Sequence, residues 1–221
     1  MSVGYGTAAL GRSLSKRERV ALVEAAYDAG IRWFDTAPLY GAGAAEDALG
    51  VALRDKDDVV VTTKVGIVPP SLIGVALRRP ATGGRFAPAD IRAQLDGSLR
   101  RLRRDVIDVV LLHEVDAVAA PAALDALRED QRVERIGVAT HGATSERILA
   151  TEPMDVVQLP ARDVVDPHGA RLVIHSVLAG RGTRIPARDL LVAAGAAHPG
   201  AILLVGSRNA EHIREAAAAL G

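Results

Sequence analysis

Four side chains that can transfer protons follow apolar runs of this chain: Asp35, Tyr40, Lys64 and His113. Three of them directly end such a run, and the tyrosine comes five residues after the aspartate. Runs of this length and composition are typical of buried parallel strands. We therefore predict that the four side chains meet at the ends of neighbouring strands and form a proton-transfer site.

Tyr40 is the predicted general acid of this site. A free tyrosine has a pKa of about 10, which is too high for an efficient acid at neutral pH, and a nearby ammonium group lowers it. Lys64 would supply that charge, Asp35 would hold the lysine in place, and His113 would orient a substrate oxygen. The arrangement suits carbonyl reduction, in which hydride reaches carbon and a proton reaches oxygen. Because no side chain donates hydride, the reaction needs a nicotinamide cofactor.

Composition narrows the class of protein. The 221 residues include 27 basic and 27 acidic side chains, 49% are hydrophobic, and none is cysteine. Neither a disordered chain nor a nucleic-acid-binding protein usually has this balance. The N-terminus lacks the features of a signal peptide, and no apolar run approaches the roughly 18 residues that span a bilayer. We expect one soluble, cytoplasmic domain over residues 1–221, with a small-molecule substrate and no nucleic-acid or membrane partner.

Eight short apolar runs alternate with helical patterns, which indicates parallel βα units. Eight such units predict an α/β fold of the closed (β/α)8 TIM-barrel type, in which active-site residues lie at the carboxyl ends of the strands. An open doubly wound sheet is the competing topology, but its GxGxxG fingerprint is missing after the first strand. The predicted strands are Gly4–Ala8, Ile31–Asp35, Val59–Lys64, Val106–His113, Arg135–Thr140, Asp155–Leu159, Arg171–Ser176 and Ala201–Ser207.

One connection is too short for an ideal barrel. About ten residues, Pro160–Ala170, separate the sixth and seventh strands, whereas a parallel crossover usually needs a dozen or more. We therefore expect the helix between these strands to be reduced or absent. The barrel would then be partly uncovered on that side, which would favour a homo-oligomer. The long irregular segment Gly66–Ala87 is expected to be a functional loop.

Five segments of the chain resemble the aldo-keto reductase family: FDTAPLYG at 34–41, TTKVG at 62–66, SLRRLRRDVIDVVLLH at 98–113, RIGVAT at 135–140 and GSRNAEHI at 206–213. They occur in the family's order. The resemblance implies a (β/α)8 barrel and NADPH-dependent reduction of an aldehyde or ketone. It also implies a catalytic tetrad, all four positions of which match: Asp35, Tyr40, Lys64 and His113.

The resemblance further implies a set of cofactor-binding residues. Gln158 matches the glutamine that binds the nicotinamide carboxamide, and His175 stands where an aromatic ring often stacks. Thr140 and His141 replace the Ser-Asn pair that usually follows the fifth strand. The helix start at Gly206–Arg208 suits phosphate, and its arginine would pair with a 2′-phosphate, which favours NADP over NAD. The full set is Gly6, Thr7, Thr140, His141, Gln158, His175, Ser176, Leu178, Gly206, Ser207, Arg208 and His212.

The chain is short for this family. It is expected to be a trimmed barrel without the N-terminal hairpin and the C-terminal tail, so that its substrate mouth is shallow and open. Two alternatives to a reductase stay open: a non-catalytic member that binds a nucleotide or a partner, and a lyase or isomerase that uses Lys64 as a Schiff base. No metal site is expected, because the six histidines are scattered without metal-ligand spacing.

Overall fold

The computed structural model describes residues 2–11, 13–68, 84–178 and 185–220, and it contains a closed barrel of eight parallel strands. Each strand pairs with its neighbours along the chain, and the last pairs with the first. The predicted (β/α)8 barrel is therefore confirmed, and the doubly wound sheet is excluded. The strands are β1 Ser2–Gly6, β2 Trp33–Asp35, β3 Val60–Val65, β4 Ile107–His113, β5 Val133–Ala139, β6 Val156–Pro160, β7 Arg171–His175 and β8 Ile202–Val205.

Seven α-helices accompany the barrel within these ranges. They are α1 Lys16–Asp28, α2 Ala44–Ala52, α3 Pro88–Leu102, α4 Ala120–Arg128, α5 Gly142–Leu149, α6 Ala187–Ala197 and α7 Ala210–Leu220. The start of α1 has the capping box that its sequence predicts, since Ser15 and Glu18 exchange hydrogen bonds of 2.7 and 3.2 Å. None of the helices in the described ranges is long and apolar enough to cross a bilayer. Most of the segment predicted as a functional loop, residues 69–83, lies outside the described residues.

Four strands, β1, β5, β7 and β8, end one or two residues earlier than predicted. β1 ends at Gly6, since Thr7–Ala9 form a short 3-10 helix. β5 ends at Ala139, and α5 begins at Gly142 because the carbonyl of His141 accepts from Ser145 N at 2.8 Å. β8 ends before residues 206–208, which leave the sheet and lead into α7. The residues that follow β1, β5 and β8 therefore lie in short turns at the mouth of the barrel.

The connection between β6 and β7 contains no helix, as its length predicts. The expectation of an uncovered flank, however, is wrong. Within residues 156–175, all of which are described, the outward-facing Val157, Leu159 and Ile174 are fully buried. Val164 and Val165 of the irregular connection pack against the core cluster to which these three residues belong. The open flank that favoured self-association is therefore absent.

The barrel interior is packed around Trp33, and two glycines make room for close neighbours. A Cβ on Gly4 would lie 3.2 Å from the indole atom Cδ1 and 2.7 Å from a Leu204 methyl. A Cβ on Gly137 would lie 1.7 Å from the carbonyl oxygen of Val156 on the paired strand. The side chains that fill this interior are Trp33, Val109, Leu111, Ala139, Val156, Val173, Ile202 and Leu204.

Strand alternation then determines which residues reach the mouth. Residues two positions apart face the same side of a strand, so Asp35 lies above Trp33 and His113 lies above Leu111. Lys64, Gln158 and His175 occupy the equivalent positions on β3, β6 and β7. The packed interior below them gives these polar side chains a floor from which water is excluded.

Substitution of Gly137 by alanine tests this packing. We expect Gly137→Ala to lower the free energy of unfolding by about 3 kcal/mol, because the added methyl would collide with the backbone of β6. Gly11→Ala is the matched control, since a Cβ there meets nothing within 4 Å. Urea unfolding followed by Trp33 fluorescence measures both variants. Equal stability of the two would contradict the tight β5–β6 contact.

Candidate active site

A buried ion pair lies at the centre of the barrel mouth. Nζ of Lys64 donates to both carboxylate oxygens of Asp35, each at 2.7 Å, and to the carbonyl oxygen of Thr36 at 2.9 Å. The two charged side chains are 2% and 3% exposed. Burial alone would lower the pKa of Lys64, but the Asp35 carboxylate and Tyr40 raise it overall. A charged lysine with three occupied donors is not placed to form a Schiff base.

Hydrogen bonds around the mouth hold the strands that carry this pair. The hydroxyl of Thr7 donates to the carbonyl oxygen of Asp35 at 3.0 Å. Next to the lysine on β3, the hydroxyl of Thr63 donates to Oε1 of Glu46 at 2.7 Å, and Nε of Arg101 donates to Oε2 at 2.7 Å. Glu46 is fully buried. Helices α2 and α3 are thereby tied to β3 beside its charged residue.

The loop after β2 brings Tyr40 over the ion pair and beside His113. Nζ of Lys64 lies 5.0 Å from the centroid of the tyrosine ring. The rings of Tyr40 and His113 meet edge to face, with centroids 6.4 Å apart. Residues 41–43 all have left-handed φ angles, of 62°, 53° and 87°, and turn the chain back into α2. The structure thus brings together the four residues of the tetrad, Asp35, Tyr40, Lys64 and His113.

Burial shifts the proton affinities of the two rings in opposite directions. It raises the pKa of Tyr40, although the Lys64 ammonium opposes this shift. The expectation that the ammonium brings this pKa below its usual value is therefore wrong, because desolvation of the phenolate outweighs the attraction. Burial, with further contributions from Lys64 and His175, lowers the pKa of His113 to about 3. At neutral pH the tyrosine keeps its proton and the histidine is uncharged.

The tetrad opens into a cavity of about 390 Å³ at the carboxyl ends of the strands. Gln158 lies in its wall, and the side-chain oxygen of this residue is buried without a hydrogen-bond partner among the described residues. Buried polar atoms are rarely left unsatisfied, so this oxygen suits a ligand N–H. Six of the predicted cofactor-binding residues line the cavity: Gly6, Gln158, His175, Ser176, Leu178 and Gly206.

A second cavity, of about 540 Å³, continues from the first along α6 and α7. Two more of the predicted residues, Ser207 and His212, line it. The hydroxyl of Tyr5 donates to the carbonyl oxygen of Ser207 at 2.8 Å and holds the turn before α7. The two cavities share the lining residues Leu178, Val205 and Gly206. Together they form one trough, which runs from the tetrad to the start of α7.

Four predicted cofactor-binding residues line neither cavity. Thr7 is fully buried and bonded to the backbone of β2, and Thr140 is 5% exposed directly after β5. His141 is mostly exposed, and its Nε2 lies 3.3 Å from Oε2 of Glu114. Arg208 is exposed at the start of α7 and donates to a serine hydroxyl at 3.3 Å. Of these four, Arg208 places an exposed cation next to a residue that lines the trough.

Sequence reasoning missed several residues of the trough. An extended chain would send Glu114 to the side opposite His113, but both line the same cavity. The reason is the backbone of Glu114, which has a φ of 53°. Ser176, directly after His175, has a φ of 59°, and such left-handed non-glycine residues are common at functional loops. The missed residues include Ala8, Ala9, Glu114 and Arg188.

The arrangement of the charged groups decides whether this site could hold a metal ion. In the part of the chain that the structure describes, no group of three His, Cys, Asp or Glu side chains is arranged to hold a metal ion. The formal charges in the wall of the catalytic cavity are those of Asp35, Lys64 and Glu114.

Comparison with known proteins establishes the family. A family model described as the aldo/keto reductase family matches residues 2–165. This chain belongs to the aldo/keto reductase family. The match includes β1 to β6 and all four tetrad residues, and the fold agrees with it.

Two relatives of this aldo/keto reductase are named as dehydrogenases. D-threo-aldose 1-dehydrogenase of a Pseudomonas species is 35% identical over 190 residues, which are 73% of this chain and 56% of that protein. Pyridoxal 4-dehydrogenase of Microbacterium luteolum is 48% identical over 138 residues, which are 53% of this chain and 40% of that protein. The chain spans about half the length of the curated relatives it matches.

Solved aldo-keto reductases share the fold. One from Bacillus halodurans, in its holo form, superposes with a TM-score of 0.82 at 20% identity, covering 99% of this chain and 86% of that chain. Another from Klebsiella pneumoniae, in complex with NADPH, superposes with a TM-score of 0.74 at 22% identity, covering 99% of this chain and 85% of that chain. At these identities the likeness supports the fold alone.

Replacement of His113 should flatten the acid side of the stability profile. Its pKa falls from an ordinary 6.5 to about 3, so in that pH window the unfolded chain binds a proton that the folded protein does not. Stability is therefore lost as the pH falls. Between roughly pH 6.5 and pH 4.5, the free energy of unfolding of His113→Gln should fall by about 2 kcal/mol less than that of the wild type.

Urea unfolding at the two pH values measures this difference. His168→Gln, which removes an exposed histidine, is the matched control and should behave like the wild type. If wild type and His113→Gln lose equal stability on acidification, the account of His113 as a partly buried, uncharged histidine is contradicted.

Proposed function

We propose that this chain reduces an aldehyde or ketone to an alcohol with NADPH, and that Tyr40 is the general acid. The observation that carries the proposal is the convergence of Tyr40, His113 and the Asp35–Lys64 pair on one cavity. Family membership supports it, as does the fold shared with a Klebsiella pneumoniae protein whose structure contains NADPH.

Proton delivery follows from the protonation states of the tetrad. A substrate carbonyl oxygen would accept hydrogen bonds from Tyr40 and from the neutral His113. The high pKa of Tyr40 keeps the proton on the phenol until negative charge develops on that oxygen. Lys64 then stabilises the phenolate that remains, since its own charge is held by Asp35. A bound nicotinamide would supply the hydride for the carbonyl carbon.

The trough has features that suit such a cofactor. The unpartnered oxygen of Gln158 can accept from a carboxamide N–H. Burial lowers the pKa of His175, so an uncharged imidazole is available beside a nicotinamide ring. A Cβ on Gly206 would lie only 3.1 Å from the carbonyl oxygen of Gly6. The start of α7 favours phosphate, and Arg208 next to it suits the 2′-phosphate of NADPH.

The reverse reaction uses the same groups. Two relatives are named as dehydrogenases of an aldose and of pyridoxal, so polar aldehydes and their alcohols are the first compounds to test. In the oxidative direction Tyr40, once deprotonated beside Lys64, would accept the proton of a substrate hydroxyl. Its raised pKa keeps Tyr40 protonated at neutral pH, which is the form that reduction uses.

Tyr40→Phe is the first test of this proposal. We expect NADPH oxidation in the presence of short aldehydes to fall by about 10²- to 10⁴-fold, the usual contribution of a general acid. Nucleotide affinity, measured from the fluorescence of NADPH, should stay about the same because the trough is intact. Tyr27→Phe, at a surface tyrosine that bonds Asp58, is the matched control and should keep full activity.

Two outcomes would count against the proposal. If Tyr40→Phe turned over as fast as the wild type, Tyr40 could not be the general acid. NADPH binding by the wild type without turnover of any aldehyde in a broad panel would favour a non-catalytic, nucleotide-binding family member.

A further inference from the structure

Glu114 is the one acidic residue in the wall of the catalytic cavity that is not neutralised by a short ion pair, among the residues that the structure describes. Asp35 is bonded to Lys64 at 2.7 Å, and these two charges cancel. The carboxylate of Glu114 lies 3.3 Å from Nε2 of the exposed His141, and nearly half of its side chain is open to solvent. Among the described residues that line this cavity, the charges of Asp35, Lys64 and Glu114 therefore sum to a net negative charge.

The position of this charge is close to the proposed chemistry. Glu114 directly follows His113, and its left-handed backbone keeps both side chains on the same cavity. Its amide nitrogen donates to the carbonyl oxygen of Ala139 at 2.9 Å, which holds the turn in place. Its carboxylate also lies near enough to Tyr40 to contribute to the raised pKa of that phenol. A carbonyl compound bound between Tyr40 and His113 would therefore lie beside this acceptor.

Within the described ranges, three alanines line the catalytic cavity. Ala8, Ala9 and Ala139 line the cavity without offering hydrogen-bond donors or acceptors from their side chains. A carboxylate that accepts from a hydroxyl forms a strong, charge-assisted hydrogen bond. The same carboxylate repels an anionic substrate group. Glu114 is therefore placed to decide which carbonyl compounds the cavity accepts.

We propose that Glu114 is a specificity-determining residue that accepts a hydrogen bond from a hydroxyl beside the reacting carbonyl. The preferred substrates are then neutral hydroxyaldehydes, and carboxylated aldehydes are disfavoured. This inference rests on the proposed reductase function and adds the substrate class to it.

The test compares kcat/KM with NADPH for three small probes: glyceraldehyde, propanal and glyoxylate. The full chain should prefer glyceraldehyde over propanal by about tenfold or more, because a site built to bond a hydroxyl discriminates against compounds that lack it. It should use glyoxylate least, because the carboxylate of Glu114 repels this anion. Glu114→Ala should lower the value for glyceraldehyde about tenfold and leave propanal nearly unchanged. Turnover of propanal also shows that the variant is folded.

Two further variants separate charge from hydrogen bonding. Glu114→Gln keeps an acceptor but removes the charge, so it should retain much of the glyceraldehyde preference and raise activity on glyoxylate. Glu134→Gln, at an exposed acid near the opposite end of β5, is the matched control and should leave all three ratios unchanged.

The outcomes distinguish this inference from the function on which it rests. If propanal and glyceraldehyde are reduced but the ratios are the same in wild type and Glu114→Ala, the role of Glu114 is overturned and the reductase function stands. If no probe is reduced by any form of the protein, both are overturned.

Discussion

The buried pair of Asp35 and Lys64 is the interaction on which this site depends. Removing two charges from water costs several kcal/mol for each ion. Here that cost is offset by two bonds of 2.7 Å and by a backbone carbonyl that occupies the third ammonium donor. Pairs of this kind contribute little net stability compared with apolar packing. In the proposed reaction, the significance of the pair is that it keeps Lys64 charged next to Tyr40, where a phenolate would form.

The closed barrel determines where that charge lies. Trp33 and its apolar neighbours fill the interior, so the next inward-facing residue on each strand lies at the mouth, above a dry floor. Glycines at positions 4 and 137 let neighbouring strands approach a bulky core. Outside the barrel, the buried carboxylate of Glu46 links α2 and α3 to β3 beside the lysine. The tetrad is therefore positioned from below by packing and from the side by a polar network.

Strand order and the tetrad could be predicted because both follow from local patterns. A continuous apolar run that ends in a polar residue marks the carboxyl end of a buried strand, and such ends converge in a parallel barrel. Three features could not be predicted in this way. The direction of the pKa shift of Tyr40 depends on how completely the fold desolvates it. The burial of the β6–β7 flank involves apolar residues such as Val164 and Val165, which lie in a segment without periodicity. The side on which Glu114 lies depends on its own left-handed backbone conformation, which a glutamate in the sequence does not indicate.

A double-mutant cycle of Asp35→Asn and Lys64→Met, measured on kcat/KM for NADPH-dependent aldehyde reduction, asks whether the pair acts as one unit. Circular dichroism would first establish that each variant is folded. If Asp35 serves only to hold Lys64 charged beneath Tyr40, the double variant will be about as slow as Lys64→Met alone. If instead the fold-losses in kcat/KM of the two single variants multiply in the double variant, the two residues act independently and this dependence is contradicted.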